Sequence, residues 1–329
     1  MSLPFFDLLA RLFPQSPVDI IAKASIQDVF RHHPAIRTIH PFSKANVTGL
    51  FGWLRYGKRL QRQGPYELFI TLAPSFSAAL IGYGVGSRFR VGYRGDGRSL
   101  LLTHRFAPPS ATHRVVAYAR LLQKFLMGLQ GSEYVPQDAP IALRFPLSEE
   151  ERRTSLLPRD PQTRYIVLNV NSEAQSRRLP LNTWIALGKR LLQETSRRVK
   201  LILIGTAAEQ PRVAQVLQGI AKPEALLDFS GKTSVRELAM LLRDADLVVS
   251  NDSGPMHLAN AVGTSLITWF GAGDPTATGP FLSHKAQVFQ KPLPCSPCLR
   301  NVCRFPTVRC LEQITPDELF QSVMTLLTM

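Results

Sequence analysis

Between Leu247 and Pro280 an apolar run ends in small and polar residues spaced to hold an anion. Leu247-Val-Val-Ser reads as a strand, Asn251-Asp252-Ser253-Gly254 as a polar turn, and the residues from Gly254 to Val262 as a helix. The first N–H groups of such a helix have no partner inside it and stand at the positive end of its dipole, so a phosphate or diphosphate fits there. Gly254 lets a ligand approach the backbone, Ser253 adds a hydroxyl donor, and Pro255 has no N–H to leave unpaired. His257, three residues after Gly254, projects from the same end. The same residue types also suit a plain capped helix, in which Asp252 and Ser253 serve only the cap.

A second cluster is Cys295-x2-Cys298-x4-Cys303-x6-Cys310. Four thiolates at this spacing could hold a structural zinc ion tetrahedrally. A reduced, packed cluster or a pair of disulfides fits the spacing equally.

These residues need elements to position them, and the chain alternates short apolar strands with amphipathic helices. In the first half the pattern predicts helices over Leu3–Phe13, Ile26–His33, Gly49–Gln63 and Val115–Leu129, and strands over Val18–Ala22, Ile36–His40 and Leu68–Leu72. In the second half strands are expected at Tyr165–Asn169, Val199–Ile204, Leu226–Phe229, Leu247–Ser250 and Leu266–Phe270. Helices are expected at Leu181–Thr195, Ala208–Gln218, Ser234–Arg243, Gly254–Val262 and Pro316–Leu327. Such alternation indicates parallel sheets covered on both faces, hence two doubly wound α/β domains, 1–150 and 151–329, joined by the polar, proline-bearing stretch Pro136–Thr163. In that class ligands bind beyond the carboxyl ends of the strands, which places the site in the cleft that the two domains face.

Composition narrows the partners. The formal charge is +15, and residues 1–150 carry 18 Lys and Arg against 9 Asp and Glu. Such a field favours polyanions: nucleic acid, an anionic membrane face or a phosphorylated glycolipid. Nucleic acid is not expected, because no helix-turn-helix, zinc-finger or RNP pattern occurs and aromatics are not interleaved with the basic runs. No secretory leader is expected, since Met1–Asp7 has no basic stretch before its apolar residues and Asp7 and Arg11 interrupt them. The uncharged stretch Leu68–Ser87 contains Pro74, Gly82, Gly84 and Gly86 and reads as a strand, a turn and a short helix, not a membrane span.

The motif Asn251-Asp252-Ser253-Gly254-Pro255-Met256-His257-Leu258-Ala259, with Gly263-Thr264, Gly271-Ala272-Gly273-Asp274-Pro275 and Thr278-Gly279-Pro280, resembles the signature of glycosyltransferase family 9, the ADP-heptose:lipopolysaccharide heptosyltransferases. Arg177-Arg178-Leu179-Pro180, Leu203–Glu209, Phe229–Ser234 and Arg90–Arg98 are similar to further family segments, so the resemblance covers nearly all of the chain. It implies the GT-B architecture of two Rossmann-like domains. The first would bind the acceptor and the second the nucleotide sugar.

The resemblance also implies roles. Ser253, Gly254 and His257 would hold the donor diphosphate, with Asp252 at the mouth of the same loop. Arg177 stands where the family has a lysine on phosphate, and its guanidinium keeps the charge and adds a fork. Ser172 would lie in the same loop, Glu209 would take the ribose hydroxyls, and Thr233 would lie near the adenine. Independently of the resemblance, the +9 of residues 1–150 and the two- and four-residue spacing of Arg88, Arg90, Arg94 and Arg98 point to a surface for the anionic lipid A-core acceptor, with Arg94 and Arg98 as its candidate contacts. The reaction would be an inverting transfer of heptose from ADP-heptose with no cofactor needed, by a cytoplasmic enzyme in peripheral contact with the inner membrane. One departure concerns the start. In the family an apolar strand and a Gly-Asp turn precede a Thr-Leu-Pro-like run, which Ser2-Leu3-Pro4 resembles here. The first strand of the first domain is therefore expected to be missing, with an in-frame segment upstream of Met1 that encodes it. The family's aspartate base would fall ahead of Met1, so no catalytic residue is identified, and a non-catalytic paralogue that binds sugar nucleotide or glycolipid is the alternative.

Overall fold

The computed structural model describes residues 1–43, 45, 47–130, 143–158, 160–195, 198–281 and 284–328. It divides into two compact units, Met1–Ala142 and Leu143–Met329, each with the alternating parallel α/β pattern of a Rossmann-like domain.

In the first unit the order is α1 (Leu3–Leu12), β1 (Val18–Lys23), a 3-10 segment (Ala24–Phe30), β2 (Ile36–Phe42), α2 (Gly49–Gln61), β3 (Leu68–Thr71), α3 (Phe76–Val85), β4 (Phe89–Tyr93), β5 (His104–Phe106) and α4 (Arg114–Gln130). The strands form two separate parallel sheets, β1-β2 and β3-β4-β5. α1 buries Leu3, Phe5, Phe6, Leu8 and Leu9 and packs on α4. α2 and α3 touch where neither has a side chain. A Cβ on Gly57 would lie 2.3 Å from the Ile81 carbonyl oxygen and 2.9 Å from the Gly84 Cα, so only glycine permits this approach.

The second unit opens with α5 (Glu149–Arg153) and continues β6 (Thr163–Asn169), α6 (Leu181–Glu194), β7 (Arg198–Leu203), α7 (Gln210–Ile220), β8 (Leu226–Asp228), α8 (Val235–Asp244), β9 (Leu247–Asn251), α9 (Gly254–Val262), β10 (Ser265–Phe270), α10 (Pro275–Thr278), β11 (Ala286–Gln290), α11 (Arg309–Glu312) and α12 (Pro316–Thr328). One parallel sheet runs in the order β11-β10-β9-β6-β7-β8. Ile166, Val167 and Leu168 of β6 and Leu247, Val248 and Val249 of β9 are fully buried. Strands covered on both faces need such unbroken apolar runs. Trp184 of α6 and Trp269 of β10 meet at 5.3 Å between ring centroids beneath the sheet.

Two expectations require correction. The segment Ile26–His33 is a 3-10 run ending at Phe30, not an α-helix. The stretch read as a linker, Pro136–Thr163, belongs in large part to the second unit, residues 136–142 lying outside the described residues. A capping box between Ser148 and Glu151 starts α5. Glu151 is ion-paired with the buried Arg236, Arg243 donates to the Glu151 and Thr154 carbonyls, and Asp244 accepts from Ser155 at 3.0 Å. Glu151, the Ser155 hydroxyl and the Glu151 and Thr154 carbonyls of this segment are thus held by partners about ninety residues away in sequence, while Glu149 and Arg153 stay exposed.

Asp19, at the start of β1, ties the first unit together. It accepts from Arg37 through both oxygens, at 2.9 and 2.8 Å, and from the Tyr66 hydroxyl at 2.6 Å. Burial alone would push its carboxyl up, but these hydrogen bonds and the Arg37 charge outweigh that and hold it well below the usual carboxylate range. A depressed native pKa contributes stability that is present above the unfolded value of about 3.9 and is lost as pH falls through the native one. Arg37 is half exposed, so Asp19→Asn should cost about 1–2 kcal/mol at pH 7. Urea unfolding should show that difference shrinking below about pH 4; a difference independent of pH would overturn the role of the charge.

Candidate functional site

In the second unit the first strand, β6, is central. The chain lays β7 and β8 on one side of it, then crosses to lay β9, β10 and β11 on the other. The connections thus diverge between β6 and β9, and the two loops leaving their carboxyl ends part to form a crevice, the usual ligand position in such a sheet. From β6 come Ser172 and Arg177. From β9 come Asp252, Ser253, Gly254 and, on the first turn of α9, His257.

Side-chain amides lock these two loops. The Asn251 Oδ1 accepts from the Leu179 N–H and the Trp269 Nε1–H, both at 3.0 Å, while its Nδ2 donates to the Asn169 and Asn171 carbonyls at 3.3 Å. The Asn169 Nδ2 donates to the Ser250 hydroxyl at 2.9 Å and the Ser253 hydroxyl at 2.7 Å. The Ser172 hydroxyl donates to the Asp252 carbonyl at 3.2 Å. Arg178 donates to the Ser172 carbonyl at 2.6 Å, and Arg212 to the Val170 and Leu179 carbonyls. The sequence pointed to the turn, Asn251 included, and to the arginine, but not to Asn169, Asn171 or Arg212, nor to the bonds that Asn251 makes, all with partners distant in sequence. A polar residue closing an otherwise apolar strand, as Asn169 and Asn251 do, was the available signal.

The plain-cap reading does not hold. Ser253 is the residue before α9, yet it makes no side-chain cap, because its oxygen accepts from Asn169 and its proton goes to the Asn251 carbonyl at 3.2 Å. Asp252 is 3% exposed at its side chain and lies 3.2 Å from Arg177 Nη1, which is 30% exposed. The contact is one of charge without an aligned hydrogen bond, for the Asp252 Oδ2 and the Arg177 Nε are both buried and unpartnered. Burial pushes the Asp252 carboxyl up, and Arg177 offsets part of that. Gly273 backs the carboxylate: a Cβ there would lie 2.2 Å from Asp252 Oδ2. His257 is half-buried.

The other expected residues lie on neighbouring loops. Glu209, after β7, closes a capping box on Thr206, accepting from its N–H at 2.8 Å and its hydroxyl at 3.0 Å. Thr233, half-buried, follows β8, in a loop tied to the β7 loop by the Gly231 N–H and Gly205 carbonyl at 2.8 Å. In the first unit Arg94 is exposed. Arg98 is not part of that surface: it is 5% exposed, and its guanidinium donates to the Tyr93 and Arg94 carbonyls and contacts Asp96. It closes its own turn, which explains its burial.

Cys295, Cys298, Cys303 and Cys310 are free thiols that line one small cavity beside Gly271 and Ala272. Burial pushes the Cys310 thiol up, and the Cys303 thiol donates to the Thr307 carbonyl. Among the described residues no group of three or more His, Cys, Asp or Glu is arranged to hold a metal ion, so the side-chain arrangement lends the zinc expectation no support.

The Asn251 amide yields a test of this framework. Asn251→Ala would leave the buried Leu179 N–H and Trp269 Nε1–H without acceptors, at about 1–3 kcal/mol each. A loss of about 2–5 kcal/mol in urea unfolding is expected, and a loss below about 1 kcal/mol would show that the amide does not hold these loops.

Comparison with known proteins extends the picture beyond this crevice. The sequence model of Glycosyltransferase family 9 (heptosyltransferase) matches residues 53–309. Lipopolysaccharide heptosyltransferase 2 of Escherichia coli (strain K12) is 25% identical over 308 residues, covering 88% of this chain and 84% of that protein. Lipopolysaccharide heptosyltransferase 2 of Salmonella typhimurium is 26% identical with the same coverage. The solved structure of E. coli ADP-heptose lps heptosyltransferase II matches with a TM-score of 0.79 at 24% identity, covering 99% of this chain and 94% of that one. That of E. coli heptosyltransferase WaaC with ADP gives 0.72 at 21%, covering 99% and 95%; both share the fold. Since the family match spans most of the chain, including the whole of the β6–β9 crevice, this chain belongs to glycosyltransferase family 9, the heptosyltransferases, and is an enzyme of that family.

Proposed function

We propose that this enzyme transfers heptose from ADP-heptose to the lipopolysaccharide inner core. The observation that carries the donor assignment is the head of α9, which its N-cap side chain leaves open, in the β6–β9 crevice with the guanidinium of Arg177. A diphosphate suits the α9 N–H groups and dipole and the Arg177 fork. Ser253, Gly254 and His257 would line it, with Asp252 and Ser172 behind. Glu209 would receive the ribose hydroxyls through the oxygen that its capping box leaves over, and Thr233 would border the base. Two solved relatives support this donor: E. coli heptosyltransferase WaaC with ADP, and the same enzyme with ADP-2-deoxy-2-fluoro heptose.

In the proposed reaction a base removes the proton of an acceptor hydroxyl, whose oxygen attacks the anomeric carbon of heptose while the bond to the ADP oxygen breaks. Negative charge then builds on the departing diphosphate, where the α9 N-terminus and Arg177 would stabilise it. The scheme needs no cofactor. The basic first unit, with Arg94 but without the internally engaged Arg98, would draw the anionic lipid A-core acceptor, a role that puts the enzyme in the cytoplasm in peripheral contact with the inner membrane. No helix among the described residues is long and apolar enough to cross a membrane. The named relatives are transferases, which disfavours a non-catalytic paralogue.

His257→Ala and Arg177→Ala should each weaken ADP binding by about 1–3 kcal/mol, the scale of a lost charge-assisted hydrogen bond. Titration calorimetry that found ADP affinity unchanged in both would overturn the donor site. Turnover of ADP-heptose with a core acceptor tests the reaction itself. In the same assay the acceptor KM should rise with salt more steeply than the ADP dissociation constant; equal salt slopes would remove the basic surface from acceptor binding.

A further inference from the structure

Arg177 carries the proposed contact with the donor diphosphate, yet its own bonds do not fix it. Its contact with Asp252, at 3.2 Å, is one of charge without an aligned hydrogen bond, and its Nε is buried and unpartnered. It ends a 3-10 turn of three residues, Gln175–Arg177, a short piece with poor internal hydrogen bonding. The neighbouring residues must therefore hold it. Arg178 is tied back into its own loop through the Ser172 carbonyl. Ser176, 1% exposed, reaches outside that loop. Its N–H donates to the Asn301 carbonyl at 3.1 Å and its hydroxyl to the Arg300 carbonyl.

Arg300 and Asn301 belong to a strap, residues 296–301, that lies between β11 and α11. The other end of the strap is fixed to the loop after β10. The Ser296 hydroxyl donates to the Gly271 carbonyl at 2.5 Å, and the Leu299 N–H to the Ala272 carbonyl at 2.8 Å. The next residue is Gly273, which backs the Asp252 carboxylate. One segment thus holds both the residue beside Arg177 and the residue beside the glycine behind Asp252. It spans the two members of the ion pair.

The strap is also strained. Leu299 has φ +56°, in the left-handed region that residues with a Cβ rarely adopt. Its side chain is 67% exposed, so packing does not hold it there. The hydrogen bonds at the two ends of the strap do: the turn at Leu299 sets its N–H on Ala272 and the next two carbonyls on Ser176. Such strain persists only where the surroundings impose it, and it gathers at ligand clamps.

We propose that the strap 296–301 is a positioning device for the donor diphosphate, and that Ser176 is the positioning residue through which it holds Arg177 in register with Asp252 and the head of α9. The inference rests on the donor-site reading given above. The strap acts through backbone carbonyls and an N–H, and its effect on the ligand passes through the Arg177 guanidinium. Ser176 also lines the small cavity that the four thiols share, so a role confined to packing that cavity is the competing account.

Titration calorimetry with ADP on the full chain separates the two. Ser176→Ala should raise the ADP Kd about three- to tenfold, the scale of one lost hydrogen bond. Ser296→Ala, at the far end of the strap from Arg177, should raise it in the same direction. In an Arg177→Ala background neither change should have any further effect, because the guanidinium they position is gone. Unchanged ADP affinity in both serine variants, beside a weakened Arg177→Ala, would overturn this proposal alone. Equal losses with and without Arg177 would overturn it in favour of packing. A larger loss in Arg300→Ala than in Ser176→Ala would overturn it by making the strap a source of charge. Unchanged ADP affinity in Arg177→Ala itself would overturn the donor reading and this proposal with it.

Discussion

Everything at the carboxyl edge of the second unit depends on one requirement, that buried backbone groups be paired where strands end and loops diverge. Between β6 and β9 the sheet ladder stops, and the carbonyls of Asn169 and Asn171 and the N–H of Leu179 would be stranded. A single side-chain amide, Asn251, meets all three and the Trp269 indole as well. Because an amide has two donors and two lone pairs on its oxygen, it can bridge both loops at once, which a hydroxyl or a carboxylate cannot. Ser253 is then drawn to Asn169, and its diversion leaves the head of α9 available. The anion-receptive geometry follows from the hydrogen-bond accounting of the scaffold.

The charge in the crevice is arranged on the same principle. Asp252 is too buried to be comfortable as an anion, and Arg177 is close enough to offset part of that cost without an aligned hydrogen bond. A buried pair of this kind adds little net stability. It does hold a guanidinium at a fixed place with donors to spare, which is of use to a ligand more than to the fold.

The parts of this structure legible in the sequence are those whose physics is local. The apolar runs of β6, β7 and β9 and the Asn-Asp-Ser-Gly turn into α9 announce themselves because burial on both faces and helix initiation each leave a short-range pattern. β4 was hidden, since Phe-Arg-Val-Gly-Tyr has a charge and a glycine inside it. Only the fold shows that Arg90 spends its guanidinium on the Ser87 and Leu101 carbonyls. Arg98 misled for the same reason: an arginine in a basic run looks solvated until its acceptors, all within its own turn, are seen. The segment 143–163 misled in the opposite sense, its glutamate and serine partners lying far along the chain on α8.

The contact between Gly57 and Gly84 has a mechanical consequence. Most helix pairs are separated by side chains that can change rotamer and absorb a displacement of a few tenths of an ångström. Here backbone meets backbone, so α2 and α3 have no compliance at that point, and each helix is joined directly to a strand of a different sheet: α2 follows β2, and α3 follows β3. The joint therefore works as a fixed gauge block. It sets the separation of the two sheets to the tolerance of an atomic contact, and a methyl group added there would act as a shim, changing a width elsewhere in the unit rather than merely loosening a core.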